Sequence, residues 1–306
     1  MRRPLLAMGA ALAGLAAVAS AATAPTPIRV VATIQPIAML VRELGAGRVA
    51  VTSLVPPGAS LHTFAPRPGD VAAVEETGLF VEVGAGLDTW AAKLENAAAS
   101  RPERLVLIEL PSLDPLPADP REHGHDAAGA RARFDPHVWL DPIRVRDVVA
   151  PALVAALVRI DPGGRAEYDT ALAALRARID ELDAEIRRTL EGHGTKFVAF
   201  HGAWRYFAAR YGLEEIGVVE EAPGEEPAPR EIARLVEAAR AAHVPAILTE
   251  PQLNPRIAAT IAAELGAGTV TVDEQGDPRD PERADYVALM RFDARAFARA
   301  LGNGAP

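Results

Sequence analysis

Residues 165–191 read RAEYDTALAALRARIDELDAEIRRTLE, with apolar positions recurring at helical spacing: Leu172, Leu175, Ile179, Leu182, Ile186 and Leu190. The positions between them are largely Arg, Asp and Glu, so the segment reads as one amphipathic helix. At 1.5 Å per residue it would be roughly 40 Å long, enough to reach across two lobes. A coiled coil would need sustained heptads, and these are absent. On the N-terminal side, Gly163 and Gly164 separate it from a second helical stretch. That stretch starts at Asp141-Pro142, where Asp can cap and Pro suits the first helical position. It runs to Ile160, and Pro151 is expected to kink it.

Outward from these helices, each half of the chain alternates short apolar runs with amphipathic segments. In the first half the pattern predicts strands over 28–34, 49–55, 79–83 and 104–110, with helices over 36–44, 70–76 and 88–99. In the second half it predicts strands over 196–200, 215–219, 246–249 and 269–272, with helices over 203–211, 229–242, 255–265 and 286–301. Buried apolar strands alternating with helices indicate βαβ units and parallel sheets. The expected fold is therefore α/β, with two parallel-sheet lobes joined by a long rigid helix. The expected divisions are an N-terminal lobe over 22–142, linking helices over 143–192 and a C-terminal lobe over 193–306. Residues 111–134, rich in proline and charge, read as a mobile loop within the first lobe.

Composition narrows the function. Hydrophobic residues make up 49% and charged residues 24%, which is the balance of a folded globular chain. At about 150 residues per domain, 306 residues suit two lobes. Lys plus Arg number 32 against 41 Asp plus Glu, and a net charge of -9 argues against nucleic acid as a partner. Cysteine is absent, which excludes a disulfide framework, a thiolate metal site, an iron–sulfur cluster and a cysteine nucleophile together. Residues 1–21 read as an export signal: Arg2 and Arg3, an apolar run from Leu5 to Val18, then Ala19-Ser20-Ala21 as a cleavage site. No cysteine follows to carry a lipid anchor, so an exported, unanchored, periplasmic protein is expected.

Ligands of open parallel sheets gather beyond the carboxyl ends of the strands. His201 follows the strand over 196–200, Asp273 follows the one over 269–272, and His62 lies in the loop after the one over 49–55. His137 precedes the first linking helix. These four are far apart in the chain, two in each half, so they form no local motif but could converge in a cleft between lobes. Three imidazoles and a carboxylate suit a tetrahedral Zn²⁺. In a chain without cysteine no thiolate ligand is available, so a site of nitrogen and oxygen donors is expected. Glu250, at the end of another strand, is expected either to orient an imidazole or to sit on the solvated rim. His193, between glycines, reads as solvent-exposed, and His243 as a cation favoured by the dipole at the end of the helix over 229–242.

Several words in the sequence surround these residues. They are PPGASLHTFAPRPGD from Pro56 to Asp70, VGAGLDTW from Val83 to Trp90, and DPHVWLDP from Asp135 to Pro142. FHGAW from Phe200 to Trp204, RYGL from Arg210 to Leu213 and TEPQ from Thr249 to Gln252 complete the set. Together, and in this order, they resemble the metal-binding solute-binding proteins of bacterial zinc and manganese ABC importers, zinc-type, cluster A-I. The resemblance covers essentially the whole chain after the signal. It implies two α/β lobes on a rigid long helix with one metal in the cleft, and a protein that hands Zn²⁺ to a permease at the inner membrane. A monomer is expected.

The resemblance carries the metal ligands onto His62, His137, His201 and Asp273. Manganese-type members usually place a glutamate where this chain has His201, so three histidines point to zinc. Leu61 stands where some zinc-type members carry a glutamate, and Glu274-Gln275-Gly276 replaces the common Pro-Leu-Gly after Asp273. The fourth position is therefore expected to be Asp273 or water. Zinc-type members also carry a histidine-rich loop, shortened here to Glu122-His123-Gly124-His125-Asp126. His123 and His125 are expected either to form a weak accessory metal site or to be plain solvated loop. The rival functions are a manganese carrier of the same class, a zinc hydrolase, an adhesin and a nucleotide enzyme. No His-Glu-x-x-His, Gly-x-Ser-x-Gly or Gly-x-Gly-x-x-Gly motif supports an enzyme.

Overall fold

The computed structural model describes residues 26–119, 133–221, 224 and 226–302. The expected export signal and the His123/His125 loop lie outside the described residues. In the first lobe β1 (Ile28–Ala32), β2 (Val49–Ser53), β3 (Leu79–Glu82) and β4 (Glu103–Val106) form a parallel sheet in the order β2-β1-β3-β4. It is flanked by α1 (Gln35–Leu44), α2 (Pro68–Glu75) and α3 (Ala91–Ala97). The second lobe repeats the arrangement. Strands β5 (Lys196–Ala199), β6 (Glu214–Val218), β7 (Ala246–Thr249) and β8 (Gly268–Thr271) run in the order β6-β5-β7-β8. Helices α7 (Arg205–Tyr211), α8 (Pro229–Ala241), α9 (Pro255–Leu265) and α10 (Tyr286–Leu301) accompany them. In both sheets the chain leaves its first strand to one side and returns on the other. The switch points therefore fall between β1 and β3 and between β5 and β7, where a crevice opens.

The linker between lobes begins with α4 (Pro142–Arg144), which Asp141 caps by accepting from the Ile143 and Arg144 amides. It continues through a π-helical turn over Val145–Val149 into α5 (Ala150–Ile160). A π-helical turn stands just before Pro151, the place where a kink is expected. A wider turn accommodates the hydrogen bond that proline cannot make and the bulk of its ring.

The long helix, α6, spans Arg165–Leu190. Its apolar stripe buries Tyr168, Leu175, Ile179, Leu182 and Ile186, while Leu172 and Leu190 are half-buried at its margins. It packs on α1 and α5 from one side and on α10 from the other, so one stripe joins both lobes. A single apolar core accordingly runs from Val30 in the first sheet to Leu301 in α10. Arg178 on the same helix pairs with Glu43 of the first lobe and Asp285 of the second.

Near the cleft the lobes are stapled by polar contacts. Trp139 Nε1 donates to the Glu274 carbonyl at 2.8 Å, and Tyr286 Oη donates to the Trp139 carbonyl at 2.7 Å. Arg210 of α7 forks onto Asp141 at 2.9 and 2.8 Å. Tyr206 Oη donates to the Asp135 carbonyl and accepts from the Leu116 amide, both at 3.0 Å. No described helix is long and apolar enough to cross a membrane.

If the stripe of α6 carries the joint between lobes, Leu182→Ala should cost about 2–5 kcal/mol in denaturant unfolding, because it opens a cavity in a fully buried position. A cost below about 1 kcal/mol would show that the lobes hold together without this stripe.

Candidate metal centre

Each candidate ligand is set by local chain geometry. His62 lies in the loop after β2, anchored by Leu61, which is buried in the core. That loop is tied across the cleft by Gln275 Nε2, which donates to the Ala59 carbonyl at 2.9 Å. His137 sits just before the short helical turn Val138–Leu140, in a segment pinned by Trp139. His201 follows β5 and Glu250 follows β7, so the two flank the switch point of the second sheet.

The structure brings the three imidazoles together. Ring centroids are 5.4 Å apart for His62 and His137, 5.3 Å for His62 and His201, and 5.5 Å for His137 and His201. One nitrogen from each ring lies within 4.8 Å of the others. His137 and His201 are only 2% and 3% exposed, and His62 is half-buried with its Nε2 buried.

Two carboxylates aim the rings. His137 Nδ1 lies 2.9 Å from Asp135 Oδ1, and His201 Nδ1 lies 2.9 Å from Glu250 Oε1. An ionised carboxylate only accepts, so in each neutral ring Nδ1 carries the proton and Nε2 keeps the lone pair, turned inward. Asp135 is itself fixed, accepting from the His137 amide at 2.9 Å and facing Arg205 Nη1 at 3.4 Å.

The carboxylate facing the imidazoles belongs to Glu274. Its Oε2 lies 3.5 Å from His137 Nε2 and 3.7 Å from His201 Nε2. Asp273, expected here from the resemblance, is turned elsewhere. Its Oδ1 accepts from Gln252 Nε2 at 2.8 Å and from the Gln275 amide at 3.0 Å, and its Oδ2 accepts from Arg283 Nη1 at 2.6 Å. Three donors satisfy that carboxylate, which leaves the next side chain to face the cleft. Glu274 and Asp135 are thus the site residues that sequence reasoning missed. Glu274 was signalled only by the departure from Pro-Leu-Gly, and Asp135 by its place two residues before His137.

The donor set fits a small divalent ion. Bonds of about 2.1 Å to nitrogen and oxygen put tetrahedral ligands roughly 3.4 Å apart, close to the Glu274–imidazole separations. Charge is arranged to match. Burial pushes the Glu274 carboxyl above its ordinary range, against the pull of the imidazoles. Burial, with His201 and His137 alongside, holds His62 well below the usual imidazole value. For His137 burial acts downward, but the hydrogen bond and charge of Asp135 outweigh it and raise the ring. The Nε2 atoms of His62 and His137 and Glu274 Oε2 are buried without a hydrogen-bond partner among the described residues. A bound cation would supply that partner to all three.

The family described as "ZnuA: Zinc-uptake complex component A periplasmic" matches residues 30–300. The high-affinity zinc uptake system protein ZnuA of Bacillus subtilis (strain 168) is 26% identical over 281 residues, spanning 90% of this chain and 88% of that protein. The manganese-binding lipoprotein MntA of Halalkalibacterium halodurans is also 26% identical, over 90% of this chain and 89% of its own length. A crystal structure of ZnuA superposes with a TM-score of 0.79 at 29% identity, covering 90% of this chain and all of that one.

If Glu250 orients His201, Glu250→Gln should weaken divalent-metal affinity by about 10-fold or more, the usual effect of loosening a ligand's outer partner. Unchanged affinity in a competitive chelator titration would assign Glu250 to the rim instead.

Proposed function

The chain belongs to the family of periplasmic zinc-uptake complex components, and from that premise we propose that it captures Zn²⁺ outside the cytoplasm and delivers it to an ABC-type permease for import. The family is one of metal-binding solute-binding proteins of ABC importers and not of enzymes. The single observation that supports zinc as cargo is the convergence of three imidazoles with one carboxylate. Manganese prefers more oxygen donors, whereas nitrogen-rich tetrahedral sites suit zinc. The proposed ligands are His62, His137, His201 and Glu274, with Asp135 and Glu250 holding two of the rings. The second reading, a manganese carrier, has the relative MntA in its favour but not the donor set. The proposal places the working protein in the periplasm, as a monomer.

His62→Ala, His137→Ala and His201→Ala should each weaken zinc binding more than about 100-fold, beyond what an outer-shell change costs. Glu274→Gln should weaken it too, while His193→Ala, an exposed position, should not. Purification without added metal followed by elemental analysis should find about one zinc per wild-type chain. Manganese retained in preference to zinc would overturn the zinc reading, and an unaffected histidine variant would remove that residue from the site.

Protons compete with the metal for imidazole nitrogen, so affinity should fall on acidification. His137, raised by Asp135, takes its proton first as pH drops, and His62, held low by burial, takes its proton last. Zinc affinity should therefore begin to fall near or above about pH 6.5, by about one decade per pH unit while His137 alone competes, and should steepen only at lower pH as further imidazoles take protons. A flat response between about pH 6.5 and 5 would contradict a site built on three imidazoles.

A further inference from the structure

Asp273 and Glu274 are adjacent carboxylates at the carboxyl edge of the second sheet, yet only one faces the imidazoles. Asp273 is 1% exposed, and its backbone amide donates to Asp293 Oδ1 at 2.8 Å, so the main chain is fixed beneath it. The side chain is held by Gln252 and the Gln275 amide on one oxygen and by Arg283 on the other. Arg283 is the only one of these that brings a charge.

The segment after β8 is folded so as to aim that guanidinium. Asp280 accepts from Arg283 Nε at 2.9 Å and from Nη2 at 2.6 Å, which leaves Nη1 for Asp273. The loop closes on itself through the Asp277 amide to the Arg283 carbonyl at 3.2 Å and the Arg283 amide to the Asp280 carbonyl at 2.9 Å. Gly276 makes the closure possible. Its φ is +75°, and a Cβ there would stand 2.7 Å from the Arg283 carbonyl oxygen. The far side of Arg283 lies over the Phe292 ring, 5.3 Å from its centroid. The guanidinium is therefore pre-positioned by Asp280, Phe292 and the loop.

We propose that Arg283, held in place by Asp280, is a specificity-determining positioning residue. It latches Asp273 outside the metal's coordination sphere, so that the cleft offers one carboxylate and three imidazoles. The inference rests on the proposed metal site above and adds to it what keeps a second oxygen donor away. With Arg283 unable to bind it, a buried Asp273 oxygen loses its compensating charge, and an ion in the cleft becomes the nearest replacement. A second anionic oxygen favours manganese over zinc. Removing a positive charge near the cleft would by itself raise affinity for both divalent ions alike. The ratio of the two affinities therefore isolates the entry of Asp273 from simple electrostatics.

The test compares wild type, Arg283→Met, Arg283→Lys and the double variant Arg283→Met/Asp273→Asn. Each is loaded with Zn²⁺, Mn²⁺ or Co²⁺, the last as an optical probe of coordination number. Arg283→Met should shift the manganese-to-zinc affinity ratio toward manganese by about 10-fold or more and weaken the intense visible absorption of tetrahedral Co²⁺. Arg283→Lys, which keeps a charged donor, should restore the wild-type ratio and spectrum, and the double variant should lose the shift. A wild-type ratio and spectrum in Arg283→Met would overturn the latch. Should Arg283→Met fail to fold, Asp273→Asn carries the test with Arg283 intact. An unchanged Co²⁺ spectrum supports the latch, and a spectrum of altered coordination places Asp273 in the sphere and overturns it. Failure of the underlying metal site looks different: wild type itself would lack the tetrahedral Co²⁺ spectrum, and His62→Ala would retain zinc.

Discussion

Trp139 is the contact on which the geometry of the cleft depends. Its indole donates to the Glu274 carbonyl, and its own carbonyl accepts from Tyr286 of α10. It lies two residues after His137, so a single buried side chain fixes His137 from the first lobe against Glu274 from the second. Bonds of 2.8 and 2.7 Å with no exposure of the indole leave that relation little freedom. The long helix α6 does the same on a larger scale, since one apolar stripe packs against both lobes. The proposed four-ligand site, drawn from both lobes, would need such rigidity, because a displacement of an ångström would separate the imidazoles from the carboxylate.

Burying three imidazoles and a carboxylate is costly unless each finds a partner. Asp135 and Glu250 supply one partner to His137 and His201, and in doing so decide which nitrogen points inward. The inward atoms of His62, His137 and Glu274 find no partner among the described residues. A divalent ion resolves the arrangement, because it gives every inward lone pair a positive centre at once. The same logic separates Glu274 from Asp273. One carboxylate has its acceptors turned toward the imidazoles, and the other has them filled by Arg283, Gln252 and a backbone amide.

Much of this was legible in the sequence. The alternation of apolar runs and helices predicted both parallel sheets, and the stripe from Leu172 to Leu190 predicted the connecting helix. Helical and strand periodicity survive folding because the same apolar faces are buried. The histidines could be singled out because each falls beside a strand end or helix start, where such folds gather ligands. Asp273 against Glu274 could not be decided that way. In the proposed latch, which of the two adjacent carboxylates enters the cleft depends on Arg283, ten residues on, and on the loop that aims it. Asp135 escaped for a related reason: its role is a hydrogen bond to a ring two residues away, and that is a matter of side-chain direction rather than spacing. A π-helical turn stands just before Pro151, where proline removes a hydrogen bond and its ring adds bulk, and apolar spacing alone does not show that widening.

The central claim is that three imidazoles and one carboxylate oxygen surround a zinc ion. X-ray absorption at the zinc edge of the protein loaded with one equivalent tests it most directly. The account predicts four nitrogen or oxygen neighbours at about 2.0–2.1 Å, together with the outer-shell scattering of three imidazole rings. A six-coordinate, oxygen-rich shell, or the outer-shell signature of fewer than three rings, would contradict it.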